Sequence, residues 1–151
     1  MPRELTVTAR YPHDADQVFA RALSFAEMAE ATRGVAIYRN MPEGDMAQGE
    51  TYVIDVLVWR VMHNPHYTVH VETVNHAERR VQSREEGWMI RKWDHTLTVD
   101  PLKGGGCLWT DRLEIDCSWA TGFMTWVARI LYRTRHRNRQ GAEITARVRR
   151  I

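Results

Sequence analysis

Residues 4–11 (ELTVTARY) alternate between apolar and polar positions, with Leu5, Val7, Ala9 and Tyr11 on one face. That period of two predicts a half-buried first strand, and Pro12 closes it. Asp14 with Gln17 three residues on has capping-box spacing, which opens a short helix with Val18, Phe19, Ala22 and Leu23 on its apolar side. Ser24 and Glu27 repeat the signature at once, so a second short helix follows. It carries Phe25, Met28 and Ala29 inward and ends before Gly34.

Beyond Gly34 the pattern is strand-like. Short strands are expected over 35–39, 50–62, 67–74, 80–85, 89–99 and 107–117. Turns at 41–49, at Asn64-Pro65, at 75–78 and at the Gly104-Gly105-Gly106 run separate most of them, and Gly87 breaks the fifth from the sixth. Consecutive strands with short links form an antiparallel meander. The last element is helical: Trp119, Phe123, Trp126, Val127, Ile130 and Leu131 recur at spacings of three and four, an apolar stripe on one face. Gly141 stops or kinks it, and 141–151 is expected to be a frayed basic tail. The chain has 151 residues, the size of one domain, and no change of composition calls for a second.

The order is strand, two short helices, six more strands and one long C-terminal helix. A sheet must cover its apolar face, and only the terminal helix is long enough to do so here. One helix does not fill the concavity of seven strands, so the arrangement implies a gap between helix and sheet.

Several segments in this order resemble the START-like (SRPBCC) superfamily, in its polyketide cyclase/dehydrase and lipid-transport branch. They are the Ala15–Phe19 segment, Gly49-x-x-Tyr52, Trp93-Asp94-His95, the glycine-rich turn with Trp109-Thr110-Asp111-Arg112-Leu113, and Tyr132–Gln140 (YRTRHRNRQ). The resemblance spans roughly 4–140. It implies an α+β helix-grip fold, with a curved seven-stranded antiparallel sheet wrapped around the long C-terminal helix. It also implies a ligand cavity, but not a particular reaction. The superfamily includes lipid carriers, coenzyme-Q-binding proteins, hormone receptors and aromatase/cyclases, and has no invariant catalytic motif to carry over.

The alternation of the last two strands places Trp93, His95, Leu97 and Val99 on one inner face and Trp109, Asp111, Leu113, Ile115 and Cys117 on the other. An imidazole and a carboxylate therefore stand on otherwise apolar faces. A hairpin centred near Lys103 sets His95 opposite Asp111, and a slip of two residues leaves them diagonal neighbours. Such a pair can transfer protons or merely satisfy two buried polar groups. In strand 50–62 either Tyr52, Ile54, Val56, Val58 and Arg60 face inward, or Val53, Asp55, Leu57, Trp59 and Val61 do. Six tryptophans is a high count for this length. Trp93, Trp109 and Trp126 are read as inward, with Trp59 and Trp88 as further candidates. Aromatic walls suit a flat or polycyclic ligand, although plain core filling is the ordinary alternative for each. The candidate ligand-binding set is thus Trp59, Arg60, Trp88, Trp93, Trp109, Phe123, Trp126 and Ile130, with His95 and Asp111 as the candidate catalytic pair.

Charge divides the chain. The net charge of +2 conceals a net of −5 before Arg129, and from there on eight arginines face one acid, Glu143. Arg133, Arg135, Arg137 and Arg139 form a candidate contact with an anionic membrane surface, or a solvated helix face. No nucleic-acid recognition motif accompanies them. The remaining histidines (His13, His63, His66, His70, His76, His136) fall in turns or on presumed outer faces with no zinc spacing, so no metal and no cofactor is expected. Cys107 and Cys117 lie at opposite ends of one strand, too far apart to bridge, which suits a reducing cytoplasm. The N-terminal residues carry no signal-peptide pattern. Arginine outnumbers lysine 19 to 2, a bias of GC-rich bacterial genomes. Three functions fit: binding or transport of a hydrophobic small molecule (lipid, quinone or polyketide-like), a cyclase/dehydratase using His95 and Asp111, or a peripheral lipid-handling module docking through the basic helix.

Overall fold

The computed structural model describes residues 1–151. Strand β1 (Arg3–Tyr11) leads into helices α1 (Ala15–Ala22) and α2 (Phe25–Ala31). The Asp14 carboxylate accepts from the N–H groups of Asp16 and Gln17, and Ser24 Oγ accepts from Glu27 N–H, so both capping residues hold the helix starts that their spacing predicts. Strands β2 (Ala36–Arg39), β3 (Thr51–Val58), β4 (Met62–Asn75), β5 (Arg80–Glu86), β6 (Lys92–Pro101) and β7 (Cys107–Asp116) follow as an antiparallel meander. A 3-10 turn (Ser118–Ala120) then opens helix α3 (Thr121–Asn138), and β8 (Ala142–Arg150) ends the chain.

The sheet has eight strands, in the order β2-β3-β4-β5-β6-β7-β1-β8, not seven. The tail expected to fray is β8, paired antiparallel with β1 from Arg3↔Arg150 to Arg10↔Ala142. Glu4 accepts from Arg149 at 3.0 Å, and Arg10 meets Glu143 at 2.7 Å. The long helix is therefore the penultimate element. It stops in a Schellman motif: Gln140 takes positive φ, Gly141 N–H donates to the His136 carbonyl, and Gln140 N–H donates to that of Arg137. A side chain at 141 would lie 2.9 Å from the Tyr11 hydroxyl, so only glycine turns the chain into β8 at this point.

The β3–β4 turn also differs from expectation. Asn64-Pro65 lies inside β4, at a bulge between the pairs Ile54↔Tyr67 and Val56↔Asn64, where proline's missing donor disturbs the ladder least. The reversal comes earlier, at Trp59 and Arg60, both with positive φ. That is the handedness a tight hairpin demands of its two central residues. Two buried clusters hold the fold. One, beneath α1 and α2, gathers Phe19, Phe25, Ile54, Val71, Leu97 and Trp109. The other gathers Leu5, Val7, Leu113, Ile115, Ala128 and Tyr132 beneath α3. Helix α3 packs on β1, β7, β8 and α2, which leaves the concave face of β3–β6 uncovered by it.

Candidate functional site: an apolar cavity with a buried polar end

The uncovered face is one wall of a cavity of about 640 Å³, within the range of small-molecule sites. Ile54, Val56 and Val58 of β3, Val69 of β4, Val81, Ser83 and Glu85 of β5, and Trp93, His95 and Leu97 of β6 form that wall. The two possible faces of β3 are thereby distinguished. Its even-numbered residues point inward, while Asp55 accepts from His63 Nε2 at 2.6 Å. Helix α3 supplies the opposite wall through Phe123, Met124, Val127, Ala128, Leu131, Tyr132 and Arg135. Of the 32 lining residues only His63, Asn64, Ser83, Glu85, His95 and Arg135 are polar or charged, so an occupant must be largely apolar.

The cavity has a lip and a closed end. Val61, Trp88, Trp119 and Phe123 line it and are exposed, Trp119 by 86%. Phe123 stacks on Trp126 at 5.9 Å, and Trp126 in turn on Trp59 at 5.6 Å. Four non-glycine residues around this lip, Trp59, Arg60, Met89 and Ser118, take positive φ, the kind of local strain that collects at functional surfaces. From Phe123 the helix runs roughly 18 Å along its axis to Arg135, which is only 5% exposed.

A chain of buried polar groups meets the cavity at this end. His95 Nε2–H donates to Asp111 Oδ1 at 2.8 Å. On its other side, His95 Nδ1 faces Glu85 Oε1 at 3.6 Å and the Tyr132 hydroxyl at 3.5 Å. Glu85 also accepts from Tyr67 O–H, and from Ser83 O–H at 3.3 Å. Behind the wall, His136 Nε2–H donates to Asp111 Oδ2 at 3.1 Å, and Tyr11 O–H donates to His136 Nδ1 at 2.7 Å. Burial alone would lower the basicity of His95, but its bonds to Asp111 and Glu85 and their negative charge push its pKa up to about 9. Burial would raise Asp111, yet the bonds from His136 and His95 hold its carboxyl well below the usual carboxylate range. His136 is lowered, chiefly by burial, and stays neutral. The arrangement is an imidazolium clamped between two carboxylates, with both ring nitrogens engaged.

The registers explain the pairing. The β6–β7 hairpin is centred on Gly104, not Lys103, because positive φ at Gly104, Gly105 and Gly106 moves the turn onward. His95 consequently lies opposite Leu113, and Asp111 opposite Leu97. The two are diagonal neighbours, still within hydrogen-bond reach.

Of the candidate site residues, Trp88, Trp93, Phe123 and His95 line the cavity. Asp111 does not: it is fully buried behind His95. Trp59 and Arg60 are in the β3–β4 turn, and Trp126 stands half exposed outside, against Trp59. Ile130 is half-buried on a flank of α3 that does not reach the cavity. Trp109 points inward but is covered by Arg139, whose guanidinium carbon lies 4.8 Å over its ring, and it borders a separate hollow of about 270 Å³. The reason is a rotation of α3. Its buried residues are Thr121, Thr125, Val127, Ala128, Tyr132, Arg135 and His136, so Val127 is inward as read, while Trp119 and Phe123 form the lip and Trp126 stands outside it. The arginines read as a membrane-facing row divide accordingly: Arg137 is exposed, Arg133 and Arg139 are half-buried, the latter over the Trp109 ring, and Arg135 is buried in the cavity wall. His136, read as outer, is wholly buried, and His63 lines the cavity.

Glu85 was not singled out from sequence, while Arg135 was read only as membrane-facing, His136 only as an outer residue and Tyr132 only as part of the Tyr132–Gln140 segment. The alternation Val81-x-Ser83-x-Glu85 carried the signal for the first, and the spacing 125, 128, 132, 135, 136 for the others. No cluster of three or more His, Cys, Asp or Glu side chains has the arrangement to hold a metal ion. Both cysteines are free and buried. No helix is long and apolar enough to cross a membrane.

An antiparallel sheet gripping a long helix over an apolar cavity defines the START-like fold, and solved structures of that class match this chain. A START superfamily protein from Mycobacterium smegmatis superposes with a TM-score of 0.66 at 11% identity, covering 91% of this chain and 94% of its own. Protein CV1439 from Chromobacterium violaceum gives 0.62 at 14% identity, over 85% of this chain and 96% of its own. Norcoclaurine synthase from Thalictrum flavum, solved in complex with dopamine and hydroxybenzaldehyde, gives 0.57 at 13% identity, over 76% and 69%. At such identities the likeness is one of fold. By sequence, the chain belongs to the family described as a domain of unknown function, DUF8410, whose model matches residues 48–141, from β3 through α3. No curated protein matches it.

Proposed function

We propose that the protein binds and carries a hydrophobic small molecule, of lipid, quinone or polyketide-like character, in the cavity between β3–β6 and α3. The observation that carries this reading is the cavity itself: about 640 Å³, walled almost wholly by apolar side chains, and open at an exposed aromatic lip. A void of this size left unfilled forfeits the packing that protein interiors otherwise achieve. The fold can accommodate small aromatic molecules, as the norcoclaurine synthase complex illustrates.

The polar end favours carriage over turnover. With its pKa near 9, His95 is protonated at neutral pH and is no base there. Both its nitrogens are committed, and Asp111 is sealed behind it. The pair reads as a support that fixes Glu85 and Tyr132 at the cavity wall.

Titration with Nile red tests the proposal. Saturable, one-to-one binding with blue-shifted emission is expected. Emission that stays at its aqueous wavelength, or that grows without saturating, would remove the reading.

A further inference from the structure

Arg135 is buried and lines the cavity, and its guanidinium forms no hydrogen bond or ion pair; its Nε is sealed from solvent without a partner. Its one close engagement is with the Tyr132 ring, 5.0 Å from the guanidinium carbon. A buried cation without a counter-ion is costly. The two nearby carboxylates are already taken. Asp111 accepts from His95 and His136, and Glu85 accepts from Tyr67 and Ser83 and faces His95. Their field nonetheless keeps Arg135 fully charged against the desolvation of its site.

We propose that Arg135 is an anion-recognition residue and that the cavity's ligand is an amphipathic monocarboxylate. Its carboxylate sits on the guanidinium, and its apolar body lies along α3 toward Phe123. This rests on the ligand reading above. A guanidinium presents a planar fork that matches a carboxylate through two parallel N–H···O bonds. Glu85, Asp111, His95 and Arg135 together carry no net charge, so what recommends a carboxylate is the unbonded fork of Arg135, and a single negative charge is the smallest it can bring. A phosphate would bring more negative charge beside Glu85 and Asp111, which disfavours it. The cavity's polarity fits the same occupant, since Ser83, Glu85, His95 and Arg135 gather at the buried end while the rest of the lining is apolar apart from His63 and Asn64.

Displacement of Nile red by matched pairs differing only in the head group tests this directly: hexadecanoate against hexadecanol, and naphthaleneacetate against naphthaleneethanol, at neutral pH. For at least one pair, the acid should bind about tenfold or more tightly than the alcohol, as a desolvated charge-assisted fork requires. Arg135→Met should bring that ratio close to one. Arg135→Lys, which keeps charge but loses the fork, should retain part of the preference. Circular dichroism establishes that each variant is folded, and the wild-type ratio decides the matter even if a variant is not. Equal affinities in the wild type, or an acid preference that survives in Arg135→Met, would overturn the role of Arg135 and leave the cavity reading standing. Failure of Nile red and of all four compounds to bind would remove both.

Discussion

Asp111→Ala should destabilise the protein by about 3–5 kcal/mol at pH 7, the usual loss when one partner of a buried charge pair is removed. The side chain accepts from two imidazoles, and its removal strands the His95 cation and the His136 N–H in a dry interior. Set against a total stability of about 5–15 kcal/mol for a typical domain, that loss is large. Asp111→Asn keeps an acceptor and the shape, so it should cost less. The dependence on pH gives a second signature. His95 has a raised pKa in the folded state, so its contribution is complete below the unfolded value near 6.5 and fades as pH climbs through about 9. The shift corresponds to about 3 kcal/mol. Urea unfolding should therefore show wild-type stability falling between pH 7 and 10, with a shallower fall in Asp111→Ala. A loss under about 1 kcal/mol, with the same pH slope as wild type, would mean that the buried network contributes little.

The second large effect concerns space. Val127 and Leu131 lie one turn apart on the cavity face of α3, and neither contacts the polar end through a hydrogen bond. Val127→Trp combined with Leu131→Trp should fill much of the void. Nile red affinity should drop by about tenfold or more, while the melting temperature holds or rises, as cavity-filling substitutions commonly allow. Unchanged dye binding in the folded double variant would place the dye, and by extension the ligand, outside this cavity.

Much of this architecture was legible in the chain. Period-two alternation gave seven strands, and the Asp14 and Ser24 caps gave both short helices. The eighth strand was hidden by charge. Ile144, Ala146 and Val148 alternate as a strand should, but arginines at 147, 149 and 150 make the segment look like a solvated tail. Those arginines suit an exposed edge, where charge discourages pairing with other chains, and Glu4 receives one of them. The Pro65 turn misled because proline usually punctuates, whereas a bulge absorbs it here. The face of α3 was read correctly at Val127 and Leu131 but was turned too far toward Trp119, Phe123 and Trp126, which outweigh Thr121, Thr125 and Ala128 in apolar character. Hydrophobicity marks what seeks cover, and at the mouth of a cavity the protein itself leaves some of it without cover. The same error put Arg135 on a membrane-facing row and His136 on an outer face, since charged side chains on a helix are ordinarily solvated. His95 and Asp111 were placed together correctly even with the register two residues off, because side chains on the same face of adjacent strands stay within reach across that slip.

A binding site and a packing defect would leave different traces of the void between β3–β6 and α3. Native mass spectrometry of the protein after incubation with a mixed lipid extract tells them apart most directly, with solvent extraction to identify what is bound. A binding site should give one apolar adduct per chain, released by organic solvent and absent from the Val127→Trp/Leu131→Trp variant. The mass of the bare chain alone, in wild type and variant alike, would contradict a binding site.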